Sequence, residues 1–250
     1  MSDPSLTPTP ESTTAAIDMY SGSKSMLIMI IGKPGRGKSY SMRNLPPDRT
    51  IVINIMGKPL PFPKGLKYSE ANKNLVITAD PNTVRRAMTE ASRNPNVDYV
   101  VIDDAQYVMA TEFMDKALVK GYEKFTVMAR NIWEILVLGT KLRGTLKVFF
   151  LAHEEDTGNE RKMKTLGKLL DDKISPEGLS TVVLYADVFG DKENREYCFS
   201  TQSDGITNAK SPFGMFPAKI DNDLLKVAQR IDEYYSEVEL KDTKVKLYSK

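Results

Sequence analysis

Residues 32–39, GKPGRGKS, satisfy the pattern GxxxxGK(S/T) at every fixed position. Residue types at this spacing hold a chain of phosphates. Gly32, Gly35 and Gly37 let the backbone take positive φ and come close to a ligand, so that successive N–H groups converge on phosphate oxygens. Lys38 is expected to set its ammonium on the β- and γ-phosphates, and the Ser39 hydroxyl to ligate Mg²⁺. Lys33, Pro34, Arg36 and Tyr40 complete the stretch expected to line the nucleotide. The ligand predicted by this loop is ATP with Mg²⁺.

A second signal lies at residues 99–104, YVVIDD, where an apolar run ends in two acids about seventy residues after the loop. This matches a Walker B element, with Asp103 holding the metal's water shell. Asp104 is the candidate for orienting or activating the attacking water, with Glu70 and Glu112 as substitutes. His153, the single histidine, ends a later apolar run, where ATPases of this plan carry a polar sensor of the γ-phosphate. It reads equally as a strand-end histidine bonded to a neighbouring loop. With one His and one Cys, no His/Cys metal cluster can be assembled.

These groups need a scaffold. MLIMII before the loop reads as a strand buried on both faces, and SYSMRNL after it as a helix. TIVINI, NLVIT, VDYVVID and LKVFFLAH follow as further buried strands. KPLPFPKG is a proline-broken surface loop. Asp80 and Pro81 mark a helix start, as cap and first helical residue. Residues 104–140 turn helical, with Trp133, Ile135, Leu136 and Leu138 as the core face. Residues 154–173 read as a long charged loop with a short helix near 165–170. STVVLYADV and REYCFST form an antiparallel pair, and residues 220–238 an amphipathic helix. Strands alternating with helices predict an α/β fold: a mostly parallel central sheet flanked by helices, with antiparallel strands at the C-terminal edge.

The chain has 250 residues and a formal net charge of +2, so composition alone points to no nucleic-acid or acidic partner. A lone Cys198 forms no internal disulfide and suits a reducing cytoplasm. No run is long and apolar enough for a membrane span, which argues for a soluble protein without a membrane partner. Residues 1–25, rich in Ser, Thr and Pro, read as a flexible arm, 26–238 as one domain and 239–250 as a charged tail. Basic residues within 161–173 are interleaved with acids and read as a solvated surface. Lys210 reads as a surface lysine, or as a finger reaching a neighbouring subunit's γ-phosphate.

The order of GKPGRGKS, VVIDDAQYVMATEFM, VFFLAHEED and YCFSTQSDGITNAKSPFGMFP resembles the bacteriophage AAA-family or RecA-like P-loop ATP-binding proteins of recombination modules. The resemblance covers about residues 25–235. It implies a RecA-like ATPase core, the loop falling on residues 32–39, the Walker B acid on Asp103 and the sensor on His153. It further implies work on single-stranded DNA in annealing or strand pairing, in the host cell's cytoplasm. The partners implied are a single-strand-binding protein or other phage replication proteins, and a homo-oligomer. A helicase loader is the alternative and a small-molecule kinase a third; against the kinase, no arginine-rich lid is evident, although Arg143 and Arg161 flank the relevant region. RecA recombinases carry a catalytic Glu on the strand after the loop's helix; TIVINI here ends without one.

Overall fold

The computed structural model describes residues 25–118, 120–167, 174–191 and 193–236. The expected arm and tail, and residues 168–170 of the expected short helix, lie outside these apart from Ser25.

The strands are β1 (Met26–Gly32), β2 (Thr50–Asn54), β3 (Leu75–Ile77), β4 (Tyr99–Asp103), β5 (Lys147–Asp156), β6 (Arg161–Met163), β7 (Val182–Phe189), β8 (Glu196–Ser200) and β9 (Lys219–Asp221). They form one sheet in the order β3-β2-β4-β5-β1-β7-β8-β9, with β6 paired to the end of β5. Every pairing from β3 across to β7 is parallel. The pairs β7–β8 and β8–β9 are antiparallel. The α/β class read from the sequence therefore holds, including its antiparallel C-terminal edge.

Among the described residues the helices are α1 (Pro81–Arg93), α2 (Tyr107–Asp115), α3 (Glu123–Gly139) and α4 (Leu224–Ser236). The Asp80 carboxylate accepts from the Thr83 amide with Pro81 just inside α1, so the predicted start of that helix is realised. Period-two alternation in β1 explains its unbroken apolar run. Leu27, Met29 and Ile31 pack with Val84 and Met88 of α1 and Ile132, Ile135 and Leu136 of α3. Ile28 and Ile30 face the opposite layer, with Met42, Leu224, Val227 and Ile231. A strand sandwiched between two layers has no polar face to show.

Several expectations need correction. The segment after the loop is a six-residue 3₁₀ helix, Ser39–Asn44, not a full α-helix. Leu45 precedes Pro46, which disfavours helical backbone, and it turns out at φ −60°, ψ 139°. The helical stretch 104–140 is two helices. Trp133 is 40% exposed, because the buried stripe of α3 runs Met128, Ala129, Ile132, Ile135, Leu136, Gly139 and leaves position 133 a third of a turn off it. Residues 154–163 are a hairpin, with Asp156 opposite Arg161 and Glu154 opposite Met163. The short strand β9 precedes α4, which starts at Leu224.

Candidate functional site

Parallel pairing brings the carboxyl ends of four strands into one row. Gly32 of β1 stands opposite His153 of β5, and Asn54 of β2 opposite Asp103 of β4. In an open parallel sheet this edge is where ligands gather. A cavity of about 670 Å³ opens there, lined among others by Gly35, Gly37, Lys38, Ser39, Tyr40, Asp103, Asp104 and His153.

The phosphate loop is shaped by its glycines. Gly35 and Gly37 have φ of 75° and 83°, and a Cβ on Gly35 would meet nothing within 4 Å, so its backbone faces open space. Gly32 serves a different need: a Cβ there would lie 2.7 Å from the Ala186 carbonyl oxygen, because β1 and β7 run so close. Lys38 folds back under the loop, donating to the carbonyls of Gly32 at 2.7 Å and Lys33 at 3.0 Å. Its three donors are thus not all used. Burial lowers the ammonium to about 8, against the opposing pull of Asp104, Asp103 and Glu154.

Ser39 and Asp103 come from sequence positions 64 apart and meet with the Ser39 hydroxyl donating to the Asp103 carboxylate at 2.8 Å. Burial pushes Asp103 up to about 6, with the Ser39 hydrogen bond opposing. Asp104 has the left-handed φ of 58°, a conformation that costs a non-glycine residue and clusters at functional sites. Burial would raise its carboxyl, but hydrogen bonds from His153 and Lys58 outweigh that and hold it at about 2. His153 Nε2 lies 3.4 Å from Asp104, its ring stands edge-on to Tyr107, and its amide donates to the Gln106 side chain at 3.0 Å.

The remaining predicted residues are placed as follows. Arg36 lines a second cavity of about 580 Å³ on the other flank of the loop, together with Val188, Gly190, Asp191 and Arg195; Pro34, Gly35 and Tyr197 belong to both cavities. Lys33 points away to the β5–β6 hairpin, 3.1 Å from Asp156 and 3.8 Å from Glu154. Glu112 is engaged with Lys116 and Asn131, and neither it nor Glu70 lines the cavity. Lys210 is bridged through its backbone to Val183, below the cavity's level within this chain. Arg161 is bound to Glu154 and Asp187, and Arg143 to the Val97 carbonyl, so neither forms a lid over the cavity.

Sequence reasoning missed Lys58 and Tyr107, which line the cavity, and Asn222, whose buried amide lacks any partner beside Gly37. The signal for Lys58 was its position just past an apolar strand, at the same edge as the loop.

Two oxygen donors, Ser39 and Asp103, with room for waters and phosphate oxygens, suit a hard cation that arrives with its anion. Among the described residues no group of three or more His, Cys, Asp or Glu is placed to hold a metal alone. No helix among them is long and apolar enough to cross a membrane.

No family model matches the chain, and neither does any curated protein. Among solved structures it is similar to the KaiC-like protein PH0186 from the hyperthermophilic archaeon Pyrococcus horikoshii OT3. That likeness has 12% identity and a TM-score of 0.42, covering 70% of this chain and 77% of the other.

Proposed function

We propose that this chain is a RecA-like P-loop ATPase that binds ATP with Mg²⁺ and hydrolyses it to ADP and phosphate. The observation that carries the reading is the Ser39–Asp103 hydrogen bond at 2.8 Å, beside Lys38 in one cavity. Loop, cation and metal-binding acid stand together as triphosphate binding requires.

In this reading the N–H groups around Gly35 and Gly37 hold the β-phosphate, and Lys38 turns a free donor onto the β- and γ-phosphates. Ser39 and Asp103 would hold Mg²⁺, which would supply positive charge against the phosphates. Asp104, fixed by His153, orients a water whose oxygen bonds to the γ-phosphorus as the bond to the β–γ bridging oxygen breaks. ADP leaves with the electron pair, and the water's proton passes to solvent. His153 senses the γ-phosphate through Asp104. The nucleoside extends past Tyr197 into the second cavity, along Arg36 and Arg195.

The wider role we propose is phage DNA recombination or replication on single-stranded DNA, as a homo-oligomer working beside a single-strand-binding protein. It is supported by the order of motifs along the chain. The test is ATP turnover and particle size with and without single-stranded DNA at low salt. Stimulation is expected; a flat response with turnover intact removes the DNA role and leaves the ATPase. Lys38→Ala is expected to abolish nucleotide binding, and unchanged binding in that variant would overturn the site itself.

A further inference from the structure

Two lysines line the main cavity, Lys38 and Lys58, and neither the phosphate-loop pattern nor the Walker B pattern requires the second. Lys58 lies on the loop after β2, and its ammonium donates to Asp104 at 2.5 Å while standing 5.5 Å above the Tyr107 ring. It lines the same cavity as Lys38 and Asp103.

Its backbone is held in place. The Asn54 side chain donates to the Lys58 carbonyl at 2.7 Å, and Asn54 is the register partner of Asp103. The turn into Lys58 uses Gly57 at φ 65°, and Pro59 and Pro61 stiffen the chain beyond it. The side chain itself is more than half exposed, so the ammonium has room to reorient on a fixed base.

The charges of the cavity bear on where it would go. Lys38 and Lys58 face Asp103 and Asp104, so the charged lining carries no excess of positive charge for an incoming polyanion. Asp104 has two partners, Lys58 and His153. It therefore remains held when the lysine departs. A terminal phosphate offers three oxygens and up to two charges, against one charge on the carboxylate, and it is the better partner for an ammonium.

We propose that Lys58 is a cationic finger supplied by the chain to its own site, parked on Asp104 without nucleotide and transferred to the γ-phosphate when a triphosphate binds. The inference rests on the nucleotide-binding reading above. It assigns to Lys58 the distinction between triphosphate and diphosphate, and it requires no neighbouring subunit for that charge.

The test compares affinities for Mg–ADP and for a non-hydrolysable Mg–ATP analogue by calorimetry, in wild type, Lys58→Met, Lys58→Arg and Asp104→Asn. Lys58→Met is expected to lower the preference for the triphosphate by about tenfold, the scale of one charge-assisted hydrogen bond. Lys58→Arg should keep most of that preference. Asp104→Asn should raise it, because the lysine loses its competing partner. If Lys58 merely braces Asp104, both Lys58→Met and Asp104→Asn shift the preference the same way, and the inference is overturned. It is overturned equally if Lys58→Met changes both affinities by one factor or leaves them alone. Should wild type bind neither nucleotide, the ATPase reading falls and the finger with it.

Discussion

Replacing Arg161 by Met should destabilise the protein far more than an ordinary surface change. The guanidinium donates to both oxygens of Glu154, at 3.0 and 2.7 Å, and to Asp187 at 3.0 Å. The Glu154 side chain is 0% exposed, whereas those of Arg161 and Asp187 are 20% and 18% exposed. Removing the arginine leaves a fully buried carboxylate whose remaining ion-pair partner among the described residues is Lys33, 3.8 Å away and half exposed, with the Lys38 ammonium attracting it from farther off. Breaking a buried pair from one side costs about 3–5 kcal/mol. The low end applies here, since Lys33 remains and the arginine itself is partly solvated, so ~3 kcal/mol is expected. For a chain of this size that is a fall in melting temperature of about 6–12 °C. The assay is urea or thermal unfolding followed by circular dichroism, on Arg161→Met, Glu154→Gln and the double variant. The double variant should recover much of the loss, because the orphaned charge is gone. A loss below about 1 kcal/mol, or a double variant no better than Arg161→Met, would refute the reasoning.

Two further outcomes follow from the site. Gly32→Ala puts a Cβ 2.7 Å from the Ala186 backbone oxygen; a destabilisation of about 1–3 kcal/mol is expected, with nucleotide affinity lost in parallel, and melting curves alongside binding isotherms check both. Asp103→Asn should stabilise the ligand-free protein while removing Mg²⁺-dependent nucleotide binding. Burial raises the Asp103 carboxyl from 3.8 to about 6, so the folded state holds its proton longer than the unfolded one and wild-type stability falls as pH rises through that window. At about 1.4 kcal/mol per pH unit the variant's advantage reaches ~3 kcal/mol by neutral pH, and unfolding titrations at pH 4 and pH 7 should show the gap open; a gap independent of pH counts against it.

The parts legible in the sequence were those set by local pattern. The double-faced apolar runs and the Asp80-Pro81 start each act within a few residues, and the fold bears them out; of the loop glycines expected to take positive φ, Gly35 and Gly37 do and Gly32 does not. What escaped depended on partners distant in the chain. Lys58 reads as part of a proline-broken loop until β2 is paired beside β4, which no local periodicity encodes. The hairpin of residues 154–163 looked like a charged loop because its charges are satisfied across strands, by Arg161 and by Lys33 of the phosphate loop. Asn222 has no local signature at all; it matters only because β9 carries it up against Gly37.

The order of strands in the sheet also sets when the site can exist. β1 carries the phosphate loop near the start of the described chain, yet both its neighbours are late: Met26 pairs with Lys147, and Ile28 with Val182. No hairpin or adjacent crossover can pre-form that strand, so the loop closure that fixes it spans most of the chain and belongs to the slow, non-local part of folding. During synthesis the loop emerges first and waits. On the proposed function, a ribosome-bound chain lacks a finished phosphate site until β7 is out, and nucleotide would bind the finished sheet and not serve as a template for building it.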